Sequence, residues 1–149
     1  MLRSILMGLV AGQRAMTPLA ALAAAARRGD LPEGAPARDL LAHPVVALGA
    51  AALAAAEMAG DKLPSAPDRI ILPGLVGRSV TAAFAGAVLA PPERRAAAAA
   101  FAATAAVGAS YIGFRLRVRA MRRFGQTSTG LVEDAIVLGS GLAIARRRG

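Results

Sequence analysis

The feature that most limits how this chain can fold is a set of charged residues lodged in long apolar runs. Arg14 lies within residues 1–26. Glu57, Asp61 and Lys62 close the run 45–63. Arg78 falls early in 70–90, and Glu133 and Asp134 open 131–145. An ionisable side chain within a bilayer costs about 2.5–3.5 kcal/mol on insertion scales. A chain that keeps such groups pairs them with one another or lines a polar path with them. The pattern reads as a helical membrane protein with a buried charged centre.

Composition supports that reading. Hydrophobic residues make up 56% of the 149, with a mean hydropathy of +0.51, above the roughly 45–50% apolar share of soluble domains. Aromatics are 3% and tryptophan is absent, so a water-soluble core would have to be built from Ala, Leu and Val. The 16 glycines suit the close approach of membrane helices. A net charge of +9 raises the question of nucleic acid. The basic residues, however, gather where apolar runs end: Arg27-Arg28, Arg94-Arg95, residues 115–123 and 146–148. No aromatic platform interleaves with them, so no nucleic-acid partner is expected. The lack of cysteine removes disulfides and thiol chemistry. His43, just before Pro44, reads as a helix-start residue and not as a catalyst. The amino terminus has signal-peptide features, but Gln13 and Arg14 interrupt its apolar run, and a retained segment is expected.

Five helical segments are expected, at about 2–26, 44–62, 70–90, 93–124 and 131–145, since about 20 apolar residues cross a hydrocarbon core. Pro44 suits a first helical turn. Pro64 and Pro67 break the second segment, and Pro91-Pro92 end the third. Glu93 is favourable at a helix start, and the arginines from Arg115 onward can snorkel at the membrane edge. The last segment is short and opens with two acids, so it either spans or is re-entrant. The expected architecture is all-α: one polytopic membrane domain over 1–149, with four to five transmembrane helices. A weak internal repeat is also suggested. Gly8-Leu-Val-Ala-Gly-Gln-Arg14-Ala-Met-Thr17 matches Gly74-Leu-Val-Gly-Arg78-Ser-Val-Thr81.

If all five segments span, the acids and several cations share one side. Glu57 and Asp61, four residues apart, occupy one helix face. Arg14, about 18 Å along its helix from Leu2, lies deeper. Arg14 and Arg78 are therefore expected to meet Glu57, Asp61, Glu133 and Asp134 in one pocket, where opposite charges make burial tolerable. The candidate binding residues are Arg14, Thr17, Glu57, Asp61, Lys62, Arg69, Arg78, Glu133 and Asp134. Four carboxylates could hold a hard cation, but two arginines among them oppose it. No metal and no cofactor are expected. With Arg3 counted on the acidic side, eight Lys or Arg fall on each side and the rule does not decide; the dense run 115–123 favours that side as the cytoplasmic one, and a re-entrant last segment would make the tally eleven against five.

Several motifs carry a family resemblance. They are Gly12-Gln-Arg14-Ala-Met-Thr17-Pro18; Glu57-Met-Ala-Gly-Asp61-Lys62-Leu-Pro64-Ser-Ala-Pro67-Asp-Arg69; Arg78 followed by Gly86; and Thr127-Ser-Thr-Gly-Leu-Val-Glu133-Asp134. Together they resemble the small bacterial membrane proteins called domain of unknown function 4126, over nearly the whole chain. The resemblance implies a multi-pass protein of the bacterial inner membrane and supplies no substrate or reaction.

Two functions stay open from the residues. One is a small transporter or channel-like protein that handles an ion or small polar solute through the Arg/Glu/Asp cluster. The other is a membrane scaffold or partner-binding subunit in which the charges only fix helix packing. An enzyme is not expected, for no Ser/His/Asp set, metal-ligand set or phosphate loop is present. A homo-oligomer is expected, because five short, small-residue helices enclose little volume.

Overall fold

The computed structural model of the chain describes residues 1–62 and 71–146. Among them are seven α-helices and no strand: α1 Leu2–Gln13, α2 Thr17–Arg27, α3 Arg38–Ala42, α4 Pro44–Gly60, α5 Leu72–Val88, α6 Arg95–Phe124 and α7 Gln126–Ala145. A 3-10 turn, Pro92–Arg94, leads into α6.

The first expected segment, 2–26, is not one helix. Pro18 has no N–H, and its ring would clash with the carbonyl four residues back, that of Arg14. The chain breaks there: Arg14 is extended, at φ −142° and ψ 114°, and α2 begins at Thr17 with Pro18 in its first turn. The two halves double back. Arg3, near the start of α1, is within electrostatic reach of Asp30, just past the end of α2. Val10 of α1 and Thr17 and Ala21 of α2 all face Gly141 of α7: a methyl placed on Gly141 would lie 3.5, 3.3 and 3.6 Å from them. α1 and α2 thus form a helical hairpin with its tip at Arg14, and α7 packs along both arms.

This hairpin moves Arg3 to the end opposite its expected place. Its guanidinium donates to the carbonyls of Ile144 at 2.9 Å, Ala145 at 3.0 Å and Arg146 at 3.1 Å. These are orphan acceptors at the end of α7, where a cation also complements the helix dipole.

Small residues bring α1, α5 and α6 together. Gly8 and Gly12 sit one turn apart on α1 and face Ala102, Ala106 and Ala109 of α6. A methyl on Gly12 would stand 2.5 Å from the Ala106 carbonyl oxygen. Gly86 of α5 meets Ala98 of α6 in the same way, at 2.6 Å. Ala11, Ala82, Ala102 and Ala106 form the buried seam between the three helices. Ser110 closes the end of α1 by donating to the Gly12 carbonyl at 3.0 Å. A second, larger core joins Met7 and Val10 to Leu22, Ala25, Leu31, Val88 and Val137.

Segment lengths also differ from expectation. α7 starts five residues earlier than position 131, and with Pro92–Phe124 it is one of two stretches among the described residues long and apolar enough to cross a bilayer. α4 and α5 are apolar but have 17 residues each, the short limit for a span. The suggested repeat is not repeated in structure. The segment through Arg14 is broken, whereas the one through Arg78 runs inside the unbroken α5.

Candidate functional site

The hairpin tip leaves polar groups that the fold must satisfy. Ala15 and Met16 precede α2, so their N–H groups have no carbonyl of a preceding turn to bond. The Glu57 carboxylate, reaching from α4, accepts both, Ala15 N–H on Oε1 and Met16 N–H on Oε2, each at 2.8 Å. A carboxylate at a helix amino end is also favoured by the dipole. Each oxygen of Glu57 is thus held by one backbone amide of the tip.

Arg14, at the same tip, is 1% exposed. It grips Asp134 of α7 with Nε at 2.9 Å and Nη2 at 2.6 Å, both on Oδ1. Its Nη1 donates to Asp61 Oδ2 at 2.6 Å. Lys62 pairs with the other Asp134 oxygen and donates to the Met58 carbonyl at 2.8 Å. Arg117 of α6 pairs with Asp61, reaches Glu133 Oε2 at 3.0 Å, and donates to the Asp61 carbonyl at 2.9 Å. Five segments of chain therefore converge on one network: the tip, α4, the turn after it, α6 and α7. Three cations, Arg14, Lys62 and Arg117, face four acids, Glu57, Asp61, Glu133 and Asp134. Asp134 lies eight residues from Gln126 and eleven from Ala145, or about 12 and 17 Å along the helix. The network is set at mid-length of α7.

Of the expected site, Arg14, Glu57, Asp61, Lys62, Glu133 and Asp134 meet. Arg78 is buried on α5. Thr17 is fully buried beside the tip, packed on Gly141, and its hydroxyl has no hydrogen-bond partner among the described residues. Arg69 lies outside the described residues. Arg117 was expected to snorkel at the membrane edge and is instead 8% exposed within the network. A signal for it was present. Arg117 and Glu133 are each eight residues from Gly125, so an antiparallel turn at Gly125 sets them opposite one another. Gly125 has φ +82° and ψ 164°, a region that essentially only glycine adopts. Among the described residues no cluster of acids and histidines could hold a metal ion.

Beside the network, α1, α6 and α7 enclose an apolar groove of about 800 Å³. Its walls include Leu6, Val10, Ile112, Leu116, Ile136 and Ile144, and its polar lining comprises Gln13, Arg117, Thr129, Glu133 and Ser140.

Fold and site together define an all-α protein built around a helical hairpin whose tip is locked into an ion-pair network. No family model, curated protein or solved structure matches the chain.

Proposed function

We propose that this is an integral membrane protein that passes an ion or small polar solute through the charged network at the hairpin tip. The observation that carries this reading is the hairpin itself. Its arms have 12 and 11 residues, about 18 and 17 Å, too short to cross a core of about 30 Å. Two short helices whose broken junction meets buried charge are the arrangement transporters use for polar cargo at mid-membrane. Large apolar side chains also stand exposed on several helices, among them Leu48, Leu53, Val76, Val80, Ile112 and Ile136. A bilayer solvates such a surface, and water does not. In this reading Glu57 is the mobile group. It leaves the tip amides by exchanging with a small anion or by taking up a proton.

The positive-inside rule then sets orientation. Moving Arg3 unbalances the tally: Arg3, Arg27, Arg28, Arg38, Arg94, Arg95 and Arg146 lie at the open end of the hairpin. Against these seven, Arg119, Arg122 and Arg123 lie at the other end, beyond the network. We place the open end in the bacterial cytoplasm. Membership of the domain of unknown function 4126 family and a homo-oligomeric state belong to the same proposal.

Flux into proteoliposomes tests the reading, with protons, chloride and acetate as probes. Wild type should conduct at least one of them, and Glu57→Gln should lose at least about tenfold of that flux, an interaction loss of roughly 1.4 kcal/mol, while remaining folded. The complete pairing of Arg14, Lys62 and Arg117 favours a second reading, a scaffold whose charges lock the helices. That reading predicts no flux in wild type and a destabilised Glu57→Gln.

A further inference from the structure

We propose that the groove between α1, α6 and α7 binds one acyl chain of an anionic phospholipid, with the phosphate held by Arg119 and Arg123. This rests on the membrane reading above and not on transport. The groove follows α7 from Thr129 to Ile144, about 22 Å, enough to seat a chain across one leaflet of a core about 30 Å thick. Its walls are almost wholly apolar.

Charge selects the ligand. The α6 wall runs through Ile112 and Leu116. That wall ends at Ala120; Arg119 precedes it directly and Arg123 follows it by three residues, just outside the groove. Both are exposed. Among the described residues neither has an ionic partner; Arg123 rests over the Phe124 ring at 5.5 Å. An apolar groove with two unpaired guanidiniums beside the end of its α6 wall fits an amphiphile with a phosphate head, since arginine binds phosphate through paired N–H donors. A zwitterionic head adds a choline or ethanolamine cation that these arginines repel.

The test is the thermal stability of the detergent-purified full chain with added lipid. At a hundredfold excess over its Kd, phosphatidylglycerol should raise Tm by roughly 5–10 °C, and phosphatidylcholine of the same chains should not. Arg119→Ala/Arg123→Ala, a change of exposed side chains, should abolish that rise and keep the starting Tm. Ser140→Trp, which fills the groove, should abolish it as well. Equal shifts from both lipids, or a full shift in the double arginine variant, would overturn the proposal. So would a shift reproduced by inorganic phosphate, which would make the site one for the free anion. A dimer that Ser140→Trp splits, with no lipid response, would place a second copy in the groove and also overturn it. A chain that stays soluble and monomeric without detergent would refute the membrane reading itself, and that outcome is distinct from all of these.

Discussion

At the scale of single residues, Arg14 and Glu57 have opposite tasks at one tip. Arg14 gathers two aspartates, and Glu57 accepts the amide N–H groups of Ala15 and Met16. Replacing Arg14 by Lys keeps the charge but cannot bond Asp134 through Nε and Nη2 while also reaching Asp61. Breaking a buried pair by losing one partner's bonds costs about 3–5 kcal/mol. We expect Arg14→Lys to lower stability by about 2–4 kcal/mol, read as a fall in Tm, with Arg14→Ala worse. Most of these residues were legible in the sequence because a charge inside an apolar run is conspicuous. Arg117 was not. It stands among five arginines of the same helix turn region, and composition alone cannot separate the one that turns inward from the four that stay out. Only its symmetry with Glu133 about Gly125 distinguishes it.

At the scale of elements, unbroken hydropathy concealed the hairpin. Residues 1–26 read as one span because nothing polar but Gln13, Arg14 and Thr17 interrupts their second half, and propensity runs through them. Backbone chemistry overrides this: Pro18 denies Arg14 a helical place, and the freed amides find Glu57. The starts of α4 and α6 were legible, at Pro44 and, within two residues, at 93, because Pro44 and Pro91-Pro92 mark them. Two element-level changes test the packing. Gly12→Leu must drive a side chain into the Ala106 carbonyl and Ala109 of α6, and overpacking of this kind costs about 1–3 kcal/mol. We expect a lower Tm from it by denaturation in detergent. Gly125→Ala forces a β-carbon onto a backbone position reserved for glycine, at about 1–3 kcal/mol. It should loosen the α6–α7 turn and weaken the Arg117–Glu133 pair. A double-mutant cycle with Glu133→Gln should then show coupling of at least about 0.5 kcal/mol.

At the scale of the whole molecule, the account turns on which ends of the helices share a side. With a continuous first span, the amino terminus and residue 30 would lie on opposite sides of a membrane. With a hairpin they lie together, beside the end of α7 that Arg3 caps, and the turn at 125 lies across from them. Because the chain has no cysteine, single cysteines report this cleanly. The deciding measurement is labelling by an impermeant thiol reagent in oriented vesicles of three variants at exposed sites: Leu2→Cys, Glu33→Cys and Ser128→Cys. Leu2→Cys and Glu33→Cys should label from the same face, the one proposed to be cytoplasmic, and Ser128→Cys from the opposite face. Labelling of Leu2→Cys and Glu33→Cys from opposite faces would mean that residues 2–27 cross the membrane, and would contradict the hairpin and the mid-membrane site proposed at its tip.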